Sequence, residues 1–163
     1  MKLRKLFEQI LNELGDSAKL YSFSESQIPK WNDDDLVLGS MKKIFFVDKF
    51  NQKYIVELEP KYKFLDVGFK ISGEGYDQQT GKFDVLSIMN TVSEIVKYTI
   101  KQNPGFLGIR YTPSAKGMSS IDPGDRGESR DKLYKYYITK KIKELGMNTE
   151  FIKSGGTTLV KFI

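Results

Sequence analysis

Histidine and cysteine are both absent from this chain, which narrows its chemistry at once. Imidazole and thiolate are the usual ligands of structural and catalytic zinc. They are also the working groups of Ser-His-Asp and Cys-His centres. Those classes are excluded, and any proton transfer falls to Asp, Glu, Lys or Tyr. The remaining chemistry-bearing pattern is cationic. Between Arg126 and Lys143 lie seven basic residues, Arg126, Arg130, Lys132, Lys135, Lys140, Lys141 and Lys143, against two acids, Glu128 and Asp131. That window carries the whole chain's formal +5. Lys132, Lys135, Tyr136, Thr139, Lys140 and Lys143 share one helical face. Such a face can follow a phosphate backbone or an acidic protein, or it can simply be solvated, its last lysines suiting the helix dipole. Arg130 follows a long loop. It can clamp a phosphate or carboxylate at a helix start, or pin the loop through Asp122, Asp125 or Glu128.

Two further patterns suggest chemistry but lack the spacing for it. In Ser72-Gly73-Glu74-Gly75-Tyr76-Asp77-Gln78-Gln79-Thr80-Gly81-Lys82-Phe83, a dinucleotide fingerprint would need glycine at Gln78. A P-loop ending at Gly81-Lys82 would need glycine at Tyr76 and Ser or Thr at Phe83. A helix start that can offer N–H groups to an anion remains. The run Asp33-Asp34-Asp35 places three carboxylates side by side, whereas real cation sites space their ligands around a turn.

The elements that must position these residues follow from periodicity. The chain of 163 residues, 39% hydrophobic and 13% aromatic, is expected to fold as one domain. Leu3, Leu6, Phe7, Ile10, Leu11 and Leu14 form one stripe of an amphipathic helix over residues 1–15. Residues 16–40 read as irregular, with Trp31 as an anchor. Lys42–Phe50 and Lys53–Glu59 predict a hairpin turning at Asn51-Gln52. Tyr62–Ser72 predicts a third strand, with a bulge or bend at Gly68. Asp84–Gln102 is a helix whose apolar face runs from Val85 to Ile100, stopped by Asn103-Pro104-Gly105. Phe106–Thr112 predicts a strand parallel to the third, with the helix as crossover. Residues 113–129 form a loop long enough to be functional. A second helix then runs to Gly146, and Met147–Lys153 and Thr157–Ile163 flank the hairpin turn Ser154-Gly155-Gly156. No apolar run is long enough to cross a bilayer, and no secretory signal pattern stands at the start.

This element order resembles the GCN5-related N-acetyltransferase (GNAT) fold. Ser129-Arg130-Asp131-Lys132-Leu133-Tyr134, followed by Lys143-Glu144-Leu145-Gly146, is similar to that family's last helix. The resemblance implies an α/β GNAT-like core over 41–163, with a mixed, mostly antiparallel sheet, a crossover helix, a C-terminal helix and a terminal β-hairpin. It implies Tyr134 as general acid for a departing thiolate, with Glu57 or Glu59 as base and acetyl-CoA as cofactor. That family's phosphate turn is Gln/Arg-x-x-Gly-x-Gly/Ala. Here Thr80-Gly81-Lys82-Phe83-Asp84-Val85-Leu86 holds one glycine and an acid that repels phosphate, which leaves Gly81 and Lys82 as weak candidates for holding the cofactor. No cofactor is therefore expected. A second resemblance covers most of the chain. Phe83 to Val92, Asn103-Pro104, Ile109 to Ser114, Arg130 to Tyr134 and Leu11 to Asp16 resemble a widespread group of tailed-bacteriophage proteins. It implies a viral origin and supplies no reaction. Together with the weak cofactor turn and the lack of a convincing catalytic set, it leads to the expectation of a non-enzymatic phage accessory or virion-associated protein, working in the host cytoplasm or the virion through contacts with a phage or host protein. Two alternatives stand beside it: an acyl-CoA-dependent N-acyltransferase, and nucleic-acid association through the basic helix 130–143. Neither membrane nor zinc is expected as a partner.

Overall fold

The computed structural model describes residues 18–72, 82–112 and 126–163, with the side chains of 82–84 and 126–130 outside the description. The expected N-terminal helix, Gly81 and most of the 113–129 loop lie outside the described residues. In chain order come β1 (Lys42–Val47), β2 (Lys53–Lys61), β3 (Phe64–Ile71), helix α1 (Lys82–Gln102), β4 (Gly108–Tyr111), helix α2 (Arg126–Glu144), β5 (Thr149–Ser154) and β6 (Thr157–Phe162).

The strands form one mixed sheet in the order β1-β2-β3-β4-β6-β5. Every pairing is antiparallel except β3 with β4, which run parallel and are joined through α1. The parallel crossover therefore forms as the sequence predicts, because a parallel partner requires a long connection. The closing hairpin places β6 against β4 and leaves β5 at the edge. The two-residue alternation puts Tyr54, Val56, Leu58, Leu65, Val67, Phe69, Ile109, Tyr111 and Val160 on the core face. Both helices pack on this face, so the opposite face carries the half-buried residues of the same strands.

Helix α1 is buried on more than its apolar stripe, and Thr91, Ser93 and Thr99 are fully inside. The reason is the segment expected to be irregular. Residues 18–36 form a strap across α1, with Tyr21 N–H donating to Thr91 Oγ1 and Asn90 Nδ2 donating to Ala18 O. Asn103 ends α1 and holds the strap. Its Oδ1 accepts from Trp31 N–H at 2.9 Å, and its Nδ2 donates to Pro29 O and Thr99 O at 2.8 Å each. Trp31 is the expected anchor: it is buried, lies edge-on to Phe106 and donates from Nε1 to Ser40 O.

Four local expectations change. The first strand ends at Val47 rather than Phe50, because Asn51 N–H turns back onto Asp48 O. The fourth strand starts at Gly108 rather than Phe106, because Phe106 N–H closes a turn on Asn103 O. Gly108 is needed there, since a Cβ would collide with the Val160 carbonyl. Tyr62 and Lys63 are not strand residues. They form the β2–β3 turn, both with positive φ (53° and 66°). Gly68 is not a bulge, because its register with Glu57 is uninterrupted.

Candidate functional site

In open α/β sheets, ligands collect beyond the carboxyl ends of parallel strands. Here that end has a specific shape. β4 pairs with Phe64–Val67 only, whereas β3 continues to Ile71. Ser72 N–H donates to Lys53 O, and antiparallel pairs alternate between bonded and non-bonded. Lys70 and Gly68 therefore bond toward β2, while Phe69 and Ile71 turn their N–H and C=O groups to the β4 side, where among the described residues no strand pairs with them. An open depression of about 810 Å³ lies here, lined among others by Glu57, Gly68, Lys70, Arg110, Thr112 and Thr157. Nothing lies within 4 Å of the place a Gly68 Cβ would take, so this glycine keeps the floor of the depression low.

The charges in the depression are already matched. Arg110 grips Asp66 in a two-pronged pair, its Nη2 donating to Oδ2 at 2.9 Å. That hydrogen bond holds the guanidinium above its ordinary pKa. Lys61 lies 3.3 Å from Glu59 and 3.4 Å from Asp66, and its pKa rises through hydrogen bonds to Glu59 first and Asp66 second. Glu57 sits between Lys70 (3.7 Å) and Lys43 (4.0 Å).

On the core side of the same strands is a tyrosine pair. Tyr134, from α2, stacks on Tyr111 with ring centroids 4.2 Å apart and meets Phe69 edge-on. Tyr111 donates its hydroxyl to Asp131 Oδ1 at 3.1 Å, and Thr158 Oγ1 donates to the same oxygen at 3.3 Å. Lys153 Nζ lies 2.6 Å from the other oxygen. Burial, and then the Asp131 charge, push the Tyr111 pKa far up. The sequence pointed to Tyr134 but not to Tyr111 or Asp131. An alternating strand tyrosine and an acid in a basic run carry no local mark of meeting.

The expected acid and bases are not brought together. Tyr134 is 2% exposed on the core face, whereas Glu57 and Glu59 alternate with buried Val56 and Leu58 and so lie on the opposite face, each near a lysine. Lys82 opens α1, and Arg126 and Arg130 lie in the first turns of α2, with side chains outside the described residues. Lys135 and Lys143 are exposed, and Lys132 and Lys140 are half-buried, on the outer face of α2 as the spacing predicts. Lys141 belongs elsewhere. It is buried 3.4 Å from Glu94, which also meets Lys97 at 2.7 Å, and Lys97 reaches Glu144 at 3.1 Å. These four residues clamp α1 to α2, so the outer basic surface is smaller than the window count.

Asp33–Leu36 is a short 3-10 turn with its three carboxylates exposed. Among the described residues no group of His, Cys, Asp or Glu gathers as a metal site, and no helix is long and apolar enough to cross a membrane. Comparison with protein-family models, with curated proteins and with solved structures yields no match.

Proposed function

We propose that the chain is a non-enzymatic, GNAT-like phage accessory or virion-associated module that acts through protein contacts. One observation carries the non-enzymatic reading. The candidate acid Tyr134 is stacked in the core, and the candidate bases Glu57 and Glu59 are ion-paired on the other side of the sheet. A base must reach the proton it removes, and a sheet's thickness intervenes. The GNAT-like layout is supported by the parallel β3–β4 pair bridged by α1, and by the last strand lying beside β4. Calorimetric titration of the protein with acetyl-CoA tests the reading. No saturable heat is expected at micromolar protein, and a tight stoichiometric isotherm would overturn it.

A second reading, an acyl-CoA-dependent N-acyltransferase, is favoured by the edge of β3 that no described strand covers. The outward N–H and C=O groups of Phe69 and Ile71 can pair with the amides of an extended ligand, next to Tyr111 and Tyr134. Acetyl-CoA would supply the acyl group, and these backbone groups would hold its arm. If the isotherm appears, Tyr134→Phe becomes the deciding variant.

A further inference from the structure

Strand β5 is a sheet edge, and among the described residues no strand lies beyond it. Asn148 and Ile163 exchange both backbone hydrogen bonds. The alternation that follows makes Glu150, Ile152 and Ser154 bond to β6. Thr149, Phe151 and Lys153 therefore point their N–H and C=O groups outward, away from the sheet. Such a row is a template for an added strand, and natural proteins usually blunt it. Here no proline interrupts it.

What flanks the row sets the chemistry of the occupant. On the helix side, Lys135 of α2 holds its Nζ 5.5 Å from the centre of the Phe151 ring. The Lys153 side chain is 64% exposed. Lys143 is exposed about two turns further along the same face of α2. Among the described residues the acid beside this flank, Asp131, is buried and already engaged by Lys153, Tyr111 and Thr158. Glu150 lies on the other face of the strand, across from Lys161. That other face offers Ile152, which is 39% exposed. A strand laid against β5 would alternate its side chains between these two flanks. Acidic residues suit the lysine flank and apolar ones suit Ile152. A second copy of β5 suits it less, since it would bring two lysine-rich α2 faces together.

We propose that β5, with the lysine face of α2 above it, takes on an extended acidic peptide from a protein partner as a seventh strand. The proposal rests on the protein-contact reading and names the partner's chemistry. Recognition would come from main-chain hydrogen bonds for affinity and charge for selectivity.

The test uses the full chain and a short fluorescent peptide of alternating Glu and Val, read by polarisation. Saturable binding that weakens with salt is expected. Thr149→Pro removes an outward N–H without touching a β6 bond, and should weaken binding about tenfold while the circular dichroism spectrum stays native. Lys135→Gln with Lys143→Gln should weaken binding and flatten its salt dependence. Thr149→Pro binding like the parent chain would overturn the proposal, as would equal binding of the peptide with N-methylated backbone. Self-association that Thr149→Pro abolishes and the peptide cannot compete would assign the edge to a second copy. Tighter binding of a single-stranded oligonucleotide that displaces the peptide would assign the lysines to nucleic acid. Failure of the peptide alone, with acetyl-CoA still giving no heat, sinks this site and leaves the protein-contact reading standing. A tight acetyl-CoA isotherm sinks that reading whatever the peptide does.

Discussion

Replacing Asn103 by Ala should loosen the strap before it unfolds the sheet. The side chain accepts from Trp31 N–H and donates to Pro29 O and Thr99 O, and it is 3% exposed. Thr99 O keeps a second donor, the Asn103 N–H, whereas Trp31 N–H and Pro29 O lose the partner described here. Orphaning a buried neutral group costs about 1–3 kcal/mol, so two such groups give a loss of about 3 kcal/mol. For a chain of this size that corresponds to a melting shift of roughly 10 °C. Trp31 is the only tryptophan, so its emission reads the strap directly. Urea titration by circular dichroism should show the stability loss. Native-state fluorescence should shift to the red because Trp31 gains water. A change below about 1 kcal/mol with unshifted emission would show that the strap is held by its apolar contacts alone, and the hydrogen-bond argument would be wrong.

Three other outcomes are expected. Asp48 accepts from Phe50 N–H, Gln52 N–H and Tyr54 OH within the β1–β2 turn. Asp48→Ala should therefore cost about 3 kcal/mol in chemical denaturation, with the loss concentrated in the β1–β2 hairpin when amide exchange is followed. Gly108→Ala forces a methyl group against the Val160 carbonyl and should cost about 2 kcal/mol or more, read as a lowered urea midpoint. Tyr111 is held protonated far above its ordinary value of 10.0, first by burial and then by Asp131. Its folded-state pKa is raised, so its contribution is complete below pH 10 and is lost as pH rises beyond that, by up to about 1.4 kcal/mol per unit. Tyr111→Phe should flatten this alkaline limb in pH-dependent denaturation, and an unchanged limb would remove Tyr111 as its source.

Much of the fold was legible because it depends on near neighbours in sequence. The alternation in Lys53–Glu59, the helical spacing from Val85 to Ile100 and the Ser154-Gly155-Gly156 turn each report a local conformation. The parallel pair followed from the same source, since a helix between two strands leaves few ways to connect them. Asn103 was legible only as a helix stop. Its larger role as the hub of the strap depends on Trp31 and Pro29, more than seventy residues away in sequence.

The candidate site was less legible, because it depends on which side chains face each other across the sheet. Glu57 and Tyr134 are each plausible alone, and pairing register and helix rotation put them on opposite faces. Lys141 belongs to the basic run by composition, yet helix packing turns it inward to Glu94. Asp131, an acid within that run, becomes the shared acceptor of Tyr111 and Thr158. The absence of imidazole and thiol chemistry, the types and order of most described elements and the outer basic face of α2 were readable in the order of residues. Those depend on composition and local periodicity. Long-range packing settles the edge of β3 that no described strand covers, the outward row on β5 and the clamp between α1 and α2. Each depends on where a strand or helix ends relative to a distant partner, and local patterns do not encode that distance.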